Sequence, residues 1–408
     1  MKIRTITSFF DPTHFPPATA LPPLAQFSRA LIKGFEEEGF TVQSARIATP
    51  PFFTYLPGNL EEQVLKIKGL ESLTQELGWL YLSAGPALPG QRESYRAIPA
   101  LLAETQNVFF SGVIADKAQV YPQAVVDSAE VIVQAATLSP DGFANLRFAA
   151  LANVPPFAPF FPAAYHAPSM GPCFSIAIEC ADEAVSAFSN ADSLENAREM
   201  WISTLEKNAA RLGAIISRTP NPLQFPFKGF DFSPAPYPED QRSLGKAFEN
   251  LGLEYVGGAG SLAAAAFIAD ALDGGNWQRA GFNGLMLAVL EDSVLAARAA
   301  TGQLTVKDLL LYSAVCGTGL DTIPLPGNST PEEISAILLD LAALAVRLGK
   351  PLTGRLMPIP GKSAGEPTDF NFAYFANSRI MALDSQTLRS PLMSAEAFPL
   401  TPRKVNID

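Results

Sequence analysis

Cys316, His166 and Asp321 are of the types that supply a nucleophile, a base and an orienting acid, the set needed for covalent catalysis. Cys316 opens the run Cys316-Gly317-Thr318-Gly319-Leu320-Asp321, directly after a stretch of helical spacing that starts near Thr305. A cysteine attacks as its thiolate, and the carbonyl-rich end of a helix disfavours that anion unless a base or cation compensates. Two readings stand side by side here, a catalytic thiol and a buried free cysteine next to a glycine helix cap. Asp321 ends the glycine-rich run, where a carboxylate can approach a ligand closely. His166, one of two histidines with His14, lies in Tyr165-His166-Ala167-Pro168 and either carries a proton near neutral pH or is a hydrogen-bonded loop residue. These three are catalytic candidates by residue type alone, because their separation in sequence says nothing of geometry.

A second set could hold an anionic substrate: Arg4 in the first strand, Asp231 near a strand end, and Lys362 in the turn Gly361-Lys362-Ser363. That turn looks like the end of a phosphate-binding loop, but such a loop needs a glycine where Leu356 stands, so Lys362 is either an anion contact or a solvated loop lysine. Gly258-Ala259-Gly260-Ser261-Leu262-Ala263 follows a strand candidate at 254–256 and opens an Ala-rich helix, as a dinucleotide fingerprint would. No clean strand ending in an acid follows about 20 residues later, so a tight turn explains the glycines and no nucleotide cofactor is called for. Asp231, Glu291 and Asp292 could bind a hard cation, yet acids at strand ends also cap helices or face water, and no metal is called for.

The elements that must position these residues alternate in type. β-Branched content marks strands at 3–10, 108–114, 131–134, 174–180, 285–290 and 355–359. Leu24, Phe27, Leu31, Ile32 and Phe35 recur at helical spacing up to a capping Gly39. A helix over 331–348 is predicted by a Thr330–Glu333 capping box, Pro331 at its first position and Gly349 at its end. Another is predicted over 194–216, opened by Asp192 and Glu195 in capping-box spacing. Alternating strands and helices mean an α/β architecture. Proline-rich, aromatic-studded segments at 154–172 and 219–238 read as rigid loops packed onto the body and are expected to wall a site.

The whole chain of 408 residues narrows the function classes. A net charge of -11 without any Lys/Arg cluster lacks the electrostatic footprint for phosphate backbones, so nucleic acid is not an expected partner. The longest apolar stretches, such as 262–269, fall short of the roughly 20 residues that span a bilayer, and no leader is expected at the start. Three cysteines, Cys173, Cys180 and Cys316, have neither a disulfide-framework count nor zinc-type spacing. A reducing, cytoplasmic setting is expected, which makes Asn328-Ser329-Thr330 a chance glycosylation match. Oligomerisation as a two-fold homo-oligomer is expected on general grounds.

Several segments together resemble a known family: Ile3-Arg4-Thr5-Ile6-Thr7, His166 behind an aromatic, Phe230-Asp231-Phe232-Ser233-Pro234-Ala235-Pro236, and Leu251-Gly252-Leu253-Glu254-Tyr255-Val256-Gly257. The run 316–327 (CGTGLDTIPLPG), the helix start at 330–340 and Pro358-Ile359-Pro360-Gly361-Lys362 belong with them. The chain resembles the domain-of-unknown-function 711 family, also called uncharacterised protein family 0210. That resemblance implies one large domain over 1–408 with a fold similar to pyruvate formate-lyase, a ten-stranded α/β barrel of two half-sheets with helices outside. Relatives in that fold use a glycyl radical near the C-terminus and a cysteine at the barrel centre. This chain has no glycine after Gly365, so a non-radical mechanism is expected.

Together these readings predict an enzyme acting on a small anionic metabolite in a barrel cavity. The alternative is a non-catalytic small-molecule binding or regulatory protein, which suits relatives encoded beside a small ACT-domain protein.

Overall fold

A computed structural model describes residues 1–315 and 317–402. Strands β1 (Lys2–Phe9), β2 (Ala45–Ala48), β3 (Tyr81–Ala87), β4 (Val108–Ala115), β5 (Gln119–Val120), β6 (Phe148–Ala152), β7 (Cys173–Glu179), β8 (Phe227–Asp231), β9 (Gly319–Pro326), β10 (Leu352–Ile359) and β11 (Phe398–Pro399) form one mixed sheet. Helices α1 (Pro17–Glu37), α2 (Leu60–Glu76), α3 (Arg92–Glu104), α4 (Pro122–Ala136), α5 (Ala181–Asn190) and α6 (Leu194–Arg218) alternate with the early strands. They are followed by α7 (Leu244–Asn250), α8 (Ser261–Gly274), α9 (Ser293–Ala300), α10 (Val306–Val315) and α11 (Pro331–Leu348).

The main path of the sheet runs β8-β7-β1-β2-β3-β4-β6-β10-β9. Its direction changes twice: β1 is antiparallel to β7 and β10 is antiparallel to β6, while every other pair along this path is parallel. The edge strands β8 and β9 do not pair with each other, so no continuous ladder closes the expected barrel. Isolated parallel bridges instead join Phe230 to Arg279 and Ala288 to Asp321.

The strands read as near-continuous apolar runs because both faces are buried. On one face Ile6, Leu82, Phe110, Leu356 and their neighbours meet the helices in the main core. Part of the other face is covered by the proline-rich segment 154–172, whose Phe161 and Ala164 pack on Phe9, Ala48 and Phe109. Its carbonyls are satisfied by strand hydroxyls: Thr7 donates to Pro159 at 2.8 Å, Ser83 to Ala164 at 2.7 Å and Ser175 to Phe157 at 2.9 Å. Donors from three strands thus fix a loop whose backbone could not otherwise be buried.

Local signals hold where the chemistry is explicit. The Thr330–Glu333 capping box and the left-handed Gly349 bound α11, and Gly39 takes φ 85° just after α1. Other expectations are corrected. Residues 131–134 lie inside α4, since Val125, Ala129, Ile132 and Ala136 recur at helical spacing on its buried side and Pro122 starts it. The 285–290 segment forms no strand beyond its bridge at Ala288 and ends in a 3-10 turn, Val289–Glu291. Ser193, rather than Asp192, caps α6 by accepting from Asn196 N–H. The 219–238 segment is not loop throughout, because it contains β8. No strand forms at 254–256, so the glycines before α8 lack the strand-to-helix setting of a dinucleotide site.

Candidate functional site

On the inner face of the sheet lies a cavity of about 110 Å³. Its charged lining comes from four strands and one turn: Arg4 of β1, Arg46 of β2, Asp321 of β9, Arg355 of β10 and Glu291. Local irregularities aim these side chains. The β1–β7 pairing shifts register between Ile3 and Thr5, a bulge around Arg4 of the kind that re-directs a side chain. In β9 the register with β10 shifts over Gly354/Leu356, and Thr322 sits at φ 45°. Gly319 makes the close approach of these strands feasible, since a Cβ there would lie 2.1 Å from the Thr353 carbonyl oxygen.

The charges form an alternating chain. Arg355 donates from Nε to Asp321 Oδ1 at 2.5 Å and from Nη2 to Glu291 Oε1 at 2.7 Å. Arg4 donates from Nη2 to Glu291 Oε2 at 2.8 Å and from Nη1 to Glu179 Oε2 at 3.1 Å. Glu179 also accepts from Gln43 Nε2 at 2.9 Å and from Arg242. Three arginines therefore alternate with three carboxylates, and Tyr374 stacks 5.4 Å from the Arg4 guanidinium. Buried ion pairs of this kind define geometry more reliably than they add stability.

Arg46 stands outside the chain. Its Nε donates to Ser44 Oγ at 3.0 Å, and no carboxylate among the described residues lies within ion-pair distance of it. The rings of Tyr81 and Phe161 hold its guanidinium at 5.4 and 5.3 Å. Burial and the neighbouring Arg4 push its pKa down to about 9. Burial drives the Asp321 carboxyl above its ordinary value, with Arg355 opposing and Glu291 adding to the rise. A carboxyl of raised pKa lining the same cavity as an arginine outside the ion-pair chain is a pattern typical of functional sites. The remaining wall is mostly apolar, including Phe109, Phe160, Phe161 and Phe282.

Of the residues singled out in the sequence, the structure brings Arg4, Glu291 and Asp321 together on this cavity. Cys316 lies outside the described residues. His166 is buried against Phe9 and Phe157, 6.2 and 5.4 Å between ring centroids, and its Nε2 contacts the Met170 carbonyl at 3.0 Å. Burial lowers its pKa to about 4, so the ring is neutral at physiological pH, and it is not part of the cavity wall. Lys362 sits in the turn after β10, also away from the wall.

Asp231 acts at one remove from the cavity. Its carboxylate accepts from Phe282 N at 2.7 Å, Asn283 N at 2.9 Å, Ser233 N at 3.0 Å and Ser233 Oγ at 2.6 Å, fixing the segment that presents Phe282. Asp292 accepts from Val294 N and Leu295 N at 3.0 Å each, the helix-capping alternative to a cation role. Among the described residues no group of three His, Cys, Asp or Glu side chains is arranged to hold a metal ion. Arg46, Arg355 and the ion-pairing role of Glu291 were not singled out from the sequence. Their signal is a charge placed inside an otherwise apolar strand, as in Leu352–Ile359 (LTGRLMPI).

Fold and site together define a mixed α/β protein with an arginine-lined internal cavity. The family model described as "Uncharacterised ACR (DUF711)" matches residues 1–376. A UPF0210 protein of Pyrobaculum aerophilum is 32% identical over 91% of this chain and 85% of its own length. UPF0210 proteins of Acetivibrio thermocellus and Syntrophobacter fumaroxidans are each 30% identical, over 82% and 81% of this chain and 78% and 77% of their own lengths. The chain belongs to the DUF711 (UPF0210) family. No helix among the described residues is long and apolar enough to cross a membrane.

Proposed function

We propose that the protein is an enzyme that binds a small anionic metabolite in this cavity and acts on it without radical chemistry. The observation that carries the reading is Arg46, a guanidinium in a largely apolar cavity with a hydroxyl as its only side-chain hydrogen-bond partner among the described residues. Burial first, and then the neighbouring Arg4, lower the Arg46 pKa, and a bound anion would offset both. Asp321 is the candidate proton carrier, because burial holds its carboxyl in the acid form to higher pH than usual.

A ten-stranded barrel like that of pyruvate formate-lyase is part of this reading. Five parallel strands (β1, β2, β3, β4, β6) would form one half-sheet. β7, β8, β9 and β10, completed by the segment that bridges Phe230 and Asp321, would form the other. Cytoplasmic residence and a homo-oligomer complete the proposal.

One observation favours the alternative of a non-catalytic binding protein: both cavity carboxylates are already engaged by arginines. The two readings separate by experiment. In a thermal-shift screen of small anionic metabolites, a specific ligand at a hundredfold excess over its Kd stabilises by about 2.7 kcal/mol. Conversion of the hit, abolished in Asp321→Asn with binding retained, supports the enzyme. A hit that is bound but never converted supports the binding protein, and a screen without any anionic hit contradicts both.

A further inference from the structure

We infer that the ligand is a monocarboxylate with a short apolar or aromatic body, not a phosphate or a dicarboxylate; this deepens the small-anion reading and rests on it. The inference comes from counting what each charge already does. With Asp321 ionised, the guanidinium groups of Arg4, Arg355 and Arg242 are matched by the carboxylates of Glu179, Glu291 and Asp321, which leaves Arg46 as the one charge in the cavity wall without a counter-ion among the described residues. One negative charge balances it. A dianion would need a second free cation, and the wall contains no lysine.

Geometry selects within the monoanions. Arg46 spends its Nε on Ser44, and its terminal nitrogens have no hydrogen-bond partner among the described residues. Two parallel N–H donors match the two oxygens of a planar carboxylate. The rings of Tyr81 and Phe161 flank the guanidinium, so the carboxylate would meet it in a partly desolvated setting where a charge-assisted hydrogen bond is strong.

Beside the polar Gln43, Thr318 and Thr353, the rest of the wall includes Phe109, Phe160, Phe282 and Met286, which favour an apolar body. Size sets the limit. An engineered apolar cavity of about 150 Å³ accepts benzene, and the cavity here is about 110 Å³. A branched short chain or a single ring is the size of body that matches it.

Calorimetric titration of the full chain tests this with isovalerate, benzoate, succinate, inorganic phosphate and the neutral amide of each monocarboxylate. The tighter of isovalerate and benzoate should bind at least about tenfold more tightly than succinate, phosphate or its own amide. Arg46→Met should weaken that binding by at least about tenfold, and Arg46→Lys, which keeps the charge and loses the fork, should weaken it measurably. The Lys variant, checked for wild-type thermal unfolding, keeps the test decisive if the Met variant fails to fold. Tighter binding of succinate or phosphate overturns the monocarboxylate inference while the small-anion reading stands. Failure of all four anions to bind overturns both, and unchanged affinity in a folded Arg46 variant overturns the role of its guanidinium.

Discussion

Asp321 and Arg46 line the same cavity in different surroundings. Asp321 is buried against Arg355, and burial raises its carboxyl above the ordinary 3.8. The folded state therefore binds this proton more tightly than the unfolded chain does. Its contribution to stability is fully present below the ordinary value and is lost as pH rises through the raised one. The unfolding free energy of the wild type relative to Asp321→Asn should accordingly fall with rising pH in that window, by at most about 1.4 kcal/mol per pH unit. Chemical denaturation of both proteins across acidic pH checks this, and a difference that grows with pH would show that Arg355 holds the carboxyl below its ordinary value. His166 illustrates the opposite fate of a titratable side chain. Buried against two phenylalanines and in contact with the Met170 carbonyl, its ring is held neutral at physiological pH and away from the cavity wall.

Among the elements, β9 and β10 decide whether the site exists, because they set Asp321 and Arg355 within hydrogen-bond reach. Gly319 takes φ 105° and pairs with Thr353, leaving no room for a Cβ. Gly319→Ala should destabilise the protein by at least about 2 kcal/mol, since it combines a forbidden conformation with a backbone clash. An unchanged urea midpoint for this variant would mean that the two strands can move apart without loss. Element type was legible where local chemistry was explicit, as in the capping box of α11 and the strands 3–10, 108–114 and 174–180. It was not legible for 131–134, where a β-branched run lies on a helix that packs with α11 on β4 and β10. Tertiary packing decided that segment against local propensity. The segment 285–290 was misread for a related reason, since its hydrophobic residues are buried as an irregular crossing whose ladder pairing with β9 is the isolated bridge at Ala288.

For the molecule as a whole, the two reversals of strand direction bring residues far apart in sequence onto one inner face. Arg4, Arg46, Glu291, Asp321 and Arg355 span nearly the entire chain and meet only because β1, β2, β9 and β10 share one sheet. This is why sequence spacing could point to Arg4, Glu291 and Asp321 as separate residues but not to Arg46 or Arg355 as their neighbours. A charge within an apolar strand was visible in the sequence, whereas the lack of a counter-ion beside Arg46 among the described residues becomes visible only in the folded chain. The central claim is that this residue anchors an anion. A crystal structure of the protein grown with the tightest-binding anion from the screen tests it most directly. The account predicts that the anion's oxygens lie within about 3.2 Å of the Arg46 terminal nitrogens. An anion bound elsewhere, with Arg46 still held by Ser44 alone, would contradict it.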